Sequence, residues 1–264
     1  MGILNVTPDS FAEPASRLDP GRAVDAALAM EAQGADLIDI GGESTRPGAQ
    51  PLPAEDELAR VLPVLRALSR RLRVPISVDT YKAVVAREAL ELGASLVNDV
   101  SGLRYDPALA RTVAELGGGL IVVHTRGRPQ TMYAEAHYED AVGEVAAELG
   151  SCVAAAKAAG VPEDRIVIDP GIGFAKRPEH SYGVLARLSE LTAAIGRPVL
   201  VGPSRKSFLR EALGDRPAVE RDWGTAAAVA AAVLAGAHIV RVHAVGNMIQ
   251  VVKVAEQIRK HAMS

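Results

Sequence analysis

The chain has 264 residues, of which 48% are hydrophobic, which is enough apolar material for a large buried core. Its length is typical of one α/β barrel, so we expect a single domain over residues 1–264. The net charge of −3 comes without a basic stripe, which excludes nucleic acid as the main partner. No apolar run reaches membrane-spanning length and no signal peptide is evident, so we expect a cytoplasmic protein without membrane contact.

Short β-branched segments alternate with longer amphipathic segments along the chain. The predicted strands are Ile3–Val6, Leu37–Ile40, Ile76–Asp79, Leu96–Asp99, Leu120–His124, Ile166–Asp169, Val199–Gly202 and Ile239–Val242. The predicted helices are Arg22–Gln33, Glu55–Arg71, Lys82–Leu92, Ala108–Leu116, Ala141–Ala159, Tyr182–Ile195, Gly224–Ala235 and Met248–His261. This alternation predicts an α/β protein with a single closed (β/α)8 TIM barrel. An open doubly wound sheet is the alternative, but it requires a Gly-rich fingerprint after the first strand, which the sequence lacks.

Every predicted strand ends in or is followed by a polar side chain. These are Asn5, Asp39, Asp79, Asn98 with Asp99, His124, Asp169, Ser204 with Lys206, and Arg241 with His243. In a barrel the C-terminal ends of all strands meet at one face, where the active sites of barrel enzymes lie. The sequence therefore predicts a functional site at this face.

Lysine is rare in this chain, in which arginine carries most of the positive charge. Four lysines lie on or beside predicted helices, and we interpret these as solvated surface charges. Lys176 and Lys206 instead follow strand ends, which makes them candidates for a functional role.

Seven segments resemble the signatures of the dihydropteroate synthase family, and they occur in the family's order. They are Asn5–Phe11, Asp39–Gly48, Ser77–Thr80, Val97–Gly102, Asp169–Phe174, Gly202–Phe208 and Arg241–His243. The resemblance covers almost the whole chain and implies a (β/α)8 transferase of folate biosynthesis, the target of sulfonamides. Such an enzyme condenses 6-hydroxymethyl-7,8-dihydropterin pyrophosphate with p-aminobenzoate to give 7,8-dihydropteroate and pyrophosphate.

The resemblance assigns the pterin pocket to Asp79, Asn98, Asp169 and Lys206. A pterin edge alternates donors and acceptors, which buried carboxylates and an amide can read. Asp169 is expected to accept from the exocyclic amine and a ring nitrogen, and Asn98 to read a neighbouring edge. Lys206 is expected to donate to the pterin carbonyl or N5, and its charge lowers the cost of burying Asp169. For Asp79 taken alone, a helix N-cap is an equally good interpretation.

The pyrophosphate needs cations and fixed donors, because negative charge develops on it as it leaves. The resemblance implies that Asn5, Arg241 and His243 bind it together with Mg²⁺. Asn5 is the expected metal ligand, a neutral oxygen suited to a magnesium ion held mostly by phosphate oxygens and water. Arg241 can bind phosphate through two N–H groups, and His243 can donate from one ring nitrogen.

The p-aminobenzoate contacts implied by the resemblance are Thr45, Arg46, Pro47, Phe174 and Ser204. The carboxylate is expected to meet Ser204 and the backbone N–H groups opening a helix near Lys206–Leu213, since helix N-termini favour anions. The loops Thr7–Ala15 and Glu43–Gln50 are expected to close over the substrates and exclude water.

We expect an ordered reaction without a covalent enzyme intermediate, with catalytic roles for Asp79, Lys206 and Arg241. The C–O bond to pyrophosphate is expected to break ahead of attack, because the pterin ring delocalises positive charge on its methylene. Asp79 would stabilise this cation, and Arg241 with Mg²⁺ would stabilise the leaving group. The family also implies a homodimer, for which the Ala-rich helix Gly224–Ala235 would suit close packing.

Four features depart from the family pattern. Met1 lies just before the first signature, where family members carry a further segment, which implies an open barrel bottom or a misassigned start site. Thr125 stands where the family often has Met, and Ala175 where it often has Gly. Ala244 replaces the usual acid after His243, which leaves the orienting partner of that histidine undetermined.

Three other functions are alternatives. A pterin-binding domain that presents methyltetrahydrofolate to a corrinoid protein would share the Asp/Asn pocket but would not need the Glu43–Gly48 segment or a phosphate-binding Arg241. A catalytically idle barrel would explain Ala244 and the short N-terminus. A Schiff-base aldolase would use Lys206 and would be trapped by borohydride with a carbonyl substrate.

Overall fold

The structure, a computed structural model, describes residues 1–7 and 20–262. The predicted closing loop Thr7–Ala15 and most of the first signature lie outside the described residues beyond Thr7. Within the described ranges, strands and helices alternate as the sequence predicts.

The strands are short and lie close to their predicted positions. They are β1 (Gly2–Asn5), β2 (Ile38–Gly41), β3 (Ile76–Asp79), β4 (Leu96–Asp99), β5 (Gly119–Val123), β6 (Ile166–Asp169), β7 (Leu200–Val201) and β8 (Ile239–Val240). The helices are α1 (Pro20–Ala32), α2 (Ala54–Leu68), α3 (Ala83–Glu91), α4 (Leu109–Glu115), α5 (Ala141–Ala158), α6 (Pro178–Ala186), α7 (Leu188–Ile195), α8 (Arg210–Leu213), α9 (Asp222–Leu234) and α10 (Val245–Ala262). Short 3₁₀ turns lie at Glu163–Arg165, Ser207–Leu209 and Ala218–Arg221.

The strands close into a barrel. Strands β1 to β6 form one parallel sheet in sequence order, and β7 pairs with β8 in a second parallel sheet. Parallel bridges between Ile168 and Val199 and between Gly2 and Val242 join the two sheets at both seams. At the second seam the backbone N–H of Ile3 donates to the carbonyl oxygen of Val242 at 3.0 Å. The predicted (β/α)8 barrel is therefore confirmed over the open-sheet alternative.

Successive strand side chains point to opposite faces, and this separates two apolar cores. The outer core lies between strands and helices and includes Ile40, Val78, Val97, Val122 and Ile168. The inner core fills the barrel and includes Met1, Leu37, Ile121, Val123 and Leu200. Because both faces are buried, the strands read as nearly continuous apolar runs. Apart from Asp39 and Ser77, the polar strand residues lie at the C-terminal ends, where the register places Asp79 beside Asn98 and Asp169 beside Val123.

The predicted helix Tyr182–Ile195 is wrong in detail, because two helices occupy this region. Helix α6 begins earlier, with Pro178 at its first position, where the missing N–H costs nothing. Arg187 interrupts the helix with φ −110° and ψ 25° before α7 begins. Buried Val184 and Leu188 keep a helical spacing across the break, which is why the pattern read as one continuous helix.

Gly171 makes the closest backbone approach in the turn after β6. Its φ is +66°, and a Cβ built there would lie 1.9 Å from the carbonyl oxygen of His124. We predict that Gly171→Ala lowers the free energy of unfolding by about 3 kcal/mol, from left-handed strain and overpacking together. Chemical denaturation measures this change.

Gly150 provides a matched control within α5. A Cβ at Gly150 has no atom within 4 Å, so Gly150→Ala should be neutral or stabilise the protein by about 0.5–1 kcal/mol. Equal stability of Gly171→Ala and Gly150→Ala would contradict the account of the β6 turn.

Candidate functional site

One arginine and two carboxylates form the centre of the strand-end face. Arg241 Nε donates to Asp39 Oδ2 at 2.6 Å, and its Nη2 donates to Asp79 Oδ2 at 2.8 Å. Asn98 Nδ2 donates to the same Asp39 oxygen at 3.0 Å. Asp39 therefore fixes Arg241 and Asn98 relative to each other. Asn98 Oδ1 is buried without a hydrogen-bond partner in residues 1–7 and 20–262, so it can accept from a bound ligand.

Asp79 lies in a strongly perturbed electrostatic environment. Burial raises the pKa of Asp79 to about 7, against the opposing effect of the Arg241 cation. The nearby charge of Asp39 raises the pKa of Asp79 further, because two carboxylates share one arginine. Asp79 is therefore poised to change its charge near neutral pH, as functional carboxylates often are.

Asp169 and Lys206 face each other across Gly202. A Cβ at Gly202 would lie 3.9 Å from Asp169 Oδ2 and 3.9 Å from Lys206 Nζ, so the glycine keeps a space open between them. Lys206 Nζ donates to the carbonyl oxygen of Ile172 at 2.5 Å and lies 4.2 Å from the centroid of the Phe174 ring. Burial lowers the pKa of Lys206 to about 8, partly offset by the charge of Asp169.

The predicted pterin residues all reach this face. Asp79 and Asn98 are neighbours in the β3–β4 register, and Asp169 ends β6 on the same side of the barrel. Burial raises the pKa of Asp169, while the positive charge of Lys206 acts against this rise. The strand ends thus bring two acids, an amide and an amine to one barrel mouth, a set of groups able to read a heterocycle edge.

His243 is held by Ser204, a residue predicted to bind p-aminobenzoate. His243 Nδ1 lies 2.9 Å from Ser204 Oγ, and the backbone N–H of His243 donates to the same oxygen at 3.2 Å. Burial lowers the pKa of His243 to about 4, and the Arg241 charge acts in the same direction. The ring is therefore neutral at physiological pH, and with Ser204 at Nδ1 its Nε2 can carry the proton and donate it. Ser204 thereby supplies the orienting contact that Ala244 cannot.

Asn5 ends β1 beside Gly41, close to Asp79. A Cβ at Gly41 would lie 3.6 Å from Asn5 Oδ1 and 3.6 Å from Asp79 Oδ2, so both oxygens border the same small space. Residues 1–7 and 20–262 contain no group of three or more His, Cys, Asp or Glu side chains that could hold a metal ion. The oxygens present fit only a cation bound mainly through substrate phosphate and water, as magnesium usually is.

The loop after β2 is tied to the loop after β5. The backbone N–H of Gly48 donates to the carbonyl oxygen of Pro129 at 2.9 Å, and Gln130 Nε2 donates to the carbonyl oxygen of Ala49 at 2.6 Å. Thr45 and Phe174 line the cleft between these loops, so two predicted p-aminobenzoate contacts lie together. Arg46 and Pro47 are exposed on the loop surface and do not line this cleft.

Lys82 corrects the interpretation of the helix-associated lysines as solvated surface charges. Its side chain is only 13% exposed, and its Nζ pairs with both Glu43 and Glu57. Glu57 is buried in the first turn of α2, where an unpaired carboxylate would be costly. Tyr81 also donates to Glu43, at 3.0 Å, so two side chains, Lys82 and Tyr81, anchor the start of the loop after β2.

Sequence reasoning identified Asp39 at a strand end but gave it no role. Its position inside a buried strand indicates a role, because Asp39 lies on the inner face of the barrel between outward-facing Ile38 and Ile40. Its neighbour in the adjacent strand is Ser77. A carboxylate there requires a cation from elsewhere in the barrel. The sequence alone does not identify Arg241, which is 202 residues away, as that cation.

We predict that Asp39→Asn lowers the pKa of Asp79 below its wild-type value of about 7, because it removes the like charge that shares Arg241. Carboxyl ¹³C NMR titration measures this shift. Asp36→Asn, an exposed position just before β2, should leave the titration of Asp79 unchanged. An unaltered Asp79 titration in Asp39→Asn would show that the two carboxylates are not coupled.

Sequence comparison identifies the family to which the chain is similar. The profile of the pterin binding enzyme family matches residues 1–243. The dihydropteroate synthase of Synechocystis sp. is 45% identical over 258 residues, which are 98% of this chain and 89% of the relative.

Solved structures of dihydropteroate synthases are also similar to this chain in fold. The dihydropteroate synthase of Yersinia pestis, solved as a sulfonamide drug complex, has a TM-score of 0.92 at 39% identity and covers 98% of this chain and 93% of its own. The Xanthomonas albilineans enzyme, solved with 4-aminobenzoic acid, has a TM-score of 0.91 at 40% identity and covers 98% of this chain and 92% of its own. In each case the similarity extends over the entire barrel.

Proposed function

This chain belongs to the dihydropteroate synthase family, and we propose that the barrel mouth is where its reaction takes place. The protein is a transferase that condenses 6-hydroxymethyl-7,8-dihydropterin pyrophosphate with p-aminobenzoate. The C–O bond from the pterin methylene to pyrophosphate breaks, a C–N bond to the arylamine forms, and the arylamine loses one proton. This location of the reaction is supported by five side chains that meet at one face of the barrel, Asp79, Asn98, Asp169, Lys206 and Arg241.

The pterin is bound by two buried side chains, Asp169 and Asn98, and by the partly buried Lys206. Asp169 Oδ1 accepts from the backbone N–H of Gly171 at 2.7 Å, which leaves Oδ2 facing the space above Gly202 for the pterin amine. Asn98 holds its Oδ1 toward the ligand because its amide nitrogen is engaged by Asp39. Lys206 donates to the pterin carbonyl or N5 from the opposite side.

The pyrophosphate is bound by Arg241, His243 and Asn5. The ion pairs to Asp39 and Asp79 occupy two of the five N–H groups of Arg241, so the others can donate to phosphate without breaking either pair. His243 acts as a neutral donor. Asn5 would hold Mg²⁺ together with phosphate oxygens and water, and that cation supplies charge neutralisation at the leaving group when bound.

Bond cleavage is assisted by the charge of Asp79. An ionised Asp79 stabilises the positive charge that develops on the pterin methylene, while Arg241 stabilises the departing oxygen. The arylamine attacks as a neutral nucleophile and therefore needs no general base of unusual pKa.

The p-aminobenzoate ring lies against Phe174 and Thr45 in the cleft below the β2 loop, with Arg46 and Pro47 covering it once the loops close. Its carboxylate is bound at the start of the 3₁₀ turn Ser207–Leu209, because the first backbone N–H groups of a helical turn can donate to an anion. The Ser204 hydroxyl is hydrogen-bonded to His243, so Ser204 contacts the carboxylate while it remains paired with that histidine.

The assay that tests this function measures pyrophosphate release from the pterin pyrophosphate, with and without p-aminobenzoate and Mg²⁺. Formation of dihydropteroate only when both are present is the expected result. Tight pterin binding without release would instead favour the methyltetrahydrofolate-presenting or idle barrel.

We predict that wild-type kcat/KM falls as pH is lowered through about 7, because Asp79 loses its charge on protonation. The charged groups acting on this carboxyl are Arg241, Asp39, Glu57 and Asp99. Asp79→Asn should reduce kcat by about 10²–10³-fold and remove this acid limb. A variant with unchanged kcat would exclude the role given to Asp79.

We also propose a homodimer in the cytoplasm. No helix within the described ranges is long and apolar enough to cross a membrane. Helix α10 exposes Val254 and Ile258 one turn apart, at 62% and 54%, and we assign this apolar pair to the dimer interface.

The dimer is tested on α10. We predict that a Val254→Glu, Ile258→Glu double variant is monomeric at concentrations where the wild type is dimeric, because the charges cannot be buried unpaired. Analytical ultracentrifugation distinguishes the two states. Gln257→Glu, at an exposed polar position on the same helix, is the control and should remain dimeric.

A further inference from the structure

Lys176 is the largest of the fully buried side chains, with 1% of its surface exposed. Its Nζ lies 2.7 Å from His124 Nδ1 and donates to the carbonyl oxygen of Phe174 at 3.2 Å. In the part of the chain that the structure describes, no carboxylate forms an ion pair with it. Such a lysine is costly to bury, and the reaction proposed above does not use it.

His124 continues the contact toward α5. Its ring is neutral, because burial lowers the pKa of His124 to about 3, with the Lys176 charge acting in the same direction. Its Nε2 lies 3.2 Å from Glu148 Oε2, and Glu148 in turn pairs with Arg126 at 2.5 Å and Arg104 at 2.7 Å. Lys176 is thus connected through His124 to a set of ion-paired side chains that includes Glu148, Arg126 and Arg104.

Two lysines hold the β6–α6 loop, each at a different carbonyl. Lys206 binds the carbonyl oxygen of Ile172 and lies over the Phe174 ring, whereas Lys176 binds the carbonyl oxygen of Phe174 itself. Between Phe174 and Lys176, Ala175 has a φ of 47°, a conformation that favours glycine, and its carbonyl oxygen accepts from the Tyr138 hydroxyl at 2.9 Å. The loop therefore depends on side-chain anchors for its conformation.

The two anchors differ in their access to substrate. Lys206 borders the open space above Gly202, so its ammonium is shared between Ile172 and a bound pterin. Lys176 has no surface toward that space, so its hold on Phe174 is independent of the ligand.

We propose that Lys176 is a positioning residue that keeps Phe174 in the p-aminobenzoate wall while Lys206 engages the pterin. This assignment rests on the function proposed above. It predicts that the arylamine site is affected when the Lys176 anchor is lost, whereas the pterin pocket is affected little. Of the pterin residues, Asp79 and Asn98 lie on β3 and β4, away from the β6–α6 loop. Asp169 and Lys206 border the loop, but their hydrogen bonds are with Gly171 and Ile172 and not with Lys176 or the carbonyl oxygen of Phe174.

The test is Lys176→Met, which keeps the length of the side chain and removes its donors. We expect KM for p-aminobenzoate to rise about tenfold, the equivalent of one lost hydrogen bond at about 1.4 kcal/mol, with kcat within about threefold of wild type. Affinity for the pterin alone, measured by calorimetry, should change less than about twofold. Lys157→Met removes an exposed lysine paired with Glu163 and should leave all three values unchanged.

A purely structural role predicts a different result. Lys176→Met would then lower the melting temperature while KM for p-aminobenzoate stayed at the wild-type value, and this outcome would overturn the assignment. If Lys176→Met does not fold, Tyr138→Phe removes only the hydroxyl that holds Ala175 and should raise the same KM in the same direction. An unchanged KM in Tyr138→Phe would then overturn it.

Turnover by the wild type distinguishes a failure of the proposed function from a failure of the role assigned to Lys176. If the wild type does not form dihydropteroate, the function fails, and calorimetric binding of pteroic acid still compares Lys176→Met with wild type. Weaker binding by the variant supports the loop assignment, and equal binding refutes it.

Discussion

The arrangement of the barrel mouth depends on the charge of Arg241. Two buried carboxylates, Asp39 and Asp79, lie within hydrogen-bond distance of its guanidinium, and neither has another cation as an ion-pair partner among the described residues. Without Arg241 they would repel each other in a low-dielectric setting, and removing one partner of a buried ion pair typically costs about 3–5 kcal/mol. Since Arg241 follows β8, Asp39 lies within β2 and Asp79 ends β3, this one side chain also ties the closing seam of the barrel to the site.

Two glycines, which have no side chain, leave the space at the barrel mouth in which we propose that substrates bind. Gly41 and Gly202 occupy inward-facing positions at the strand ends, where a Cβ would approach the Asp79 and Asp169 oxygens and the Lys206 amine. The inner apolar core below them is filled, so ligands are confined to the mouth. The proposed reaction site therefore lies where the barrel is left unfilled, between the polar strand ends and the apolar inner core.

The features that could be predicted from the sequence are those that hydrophobic periodicity and strand register determine. The strands, their polar ends and the convergence of Asp79, Asn98 and Asp169 follow from β-branched runs and from the geometry of a parallel barrel. Ion pairs between residues that are distant in sequence could not be predicted in this way. The pairing of Lys82 with Glu57 depends on how α2 packs beside α3, and no local pattern encodes it.

Ala244 and Ala175 illustrate how this barrel tolerates departures from its family. At Ala244 the acid next to His243 is missing, yet Ser204 from the end of β7 contacts Nδ1 of the ring, so the imidazole keeps one defined orientation. At Ala175 the left-handed backbone is retained, and Tyr138 from the preceding loop binds its carbonyl oxygen. In both places a side chain from another part of the barrel supplies a contact that the local sequence no longer provides. A motif mismatch in this fold therefore has to be judged against the three-dimensional neighbours of the residue, because those neighbours determine whether its geometry is lost.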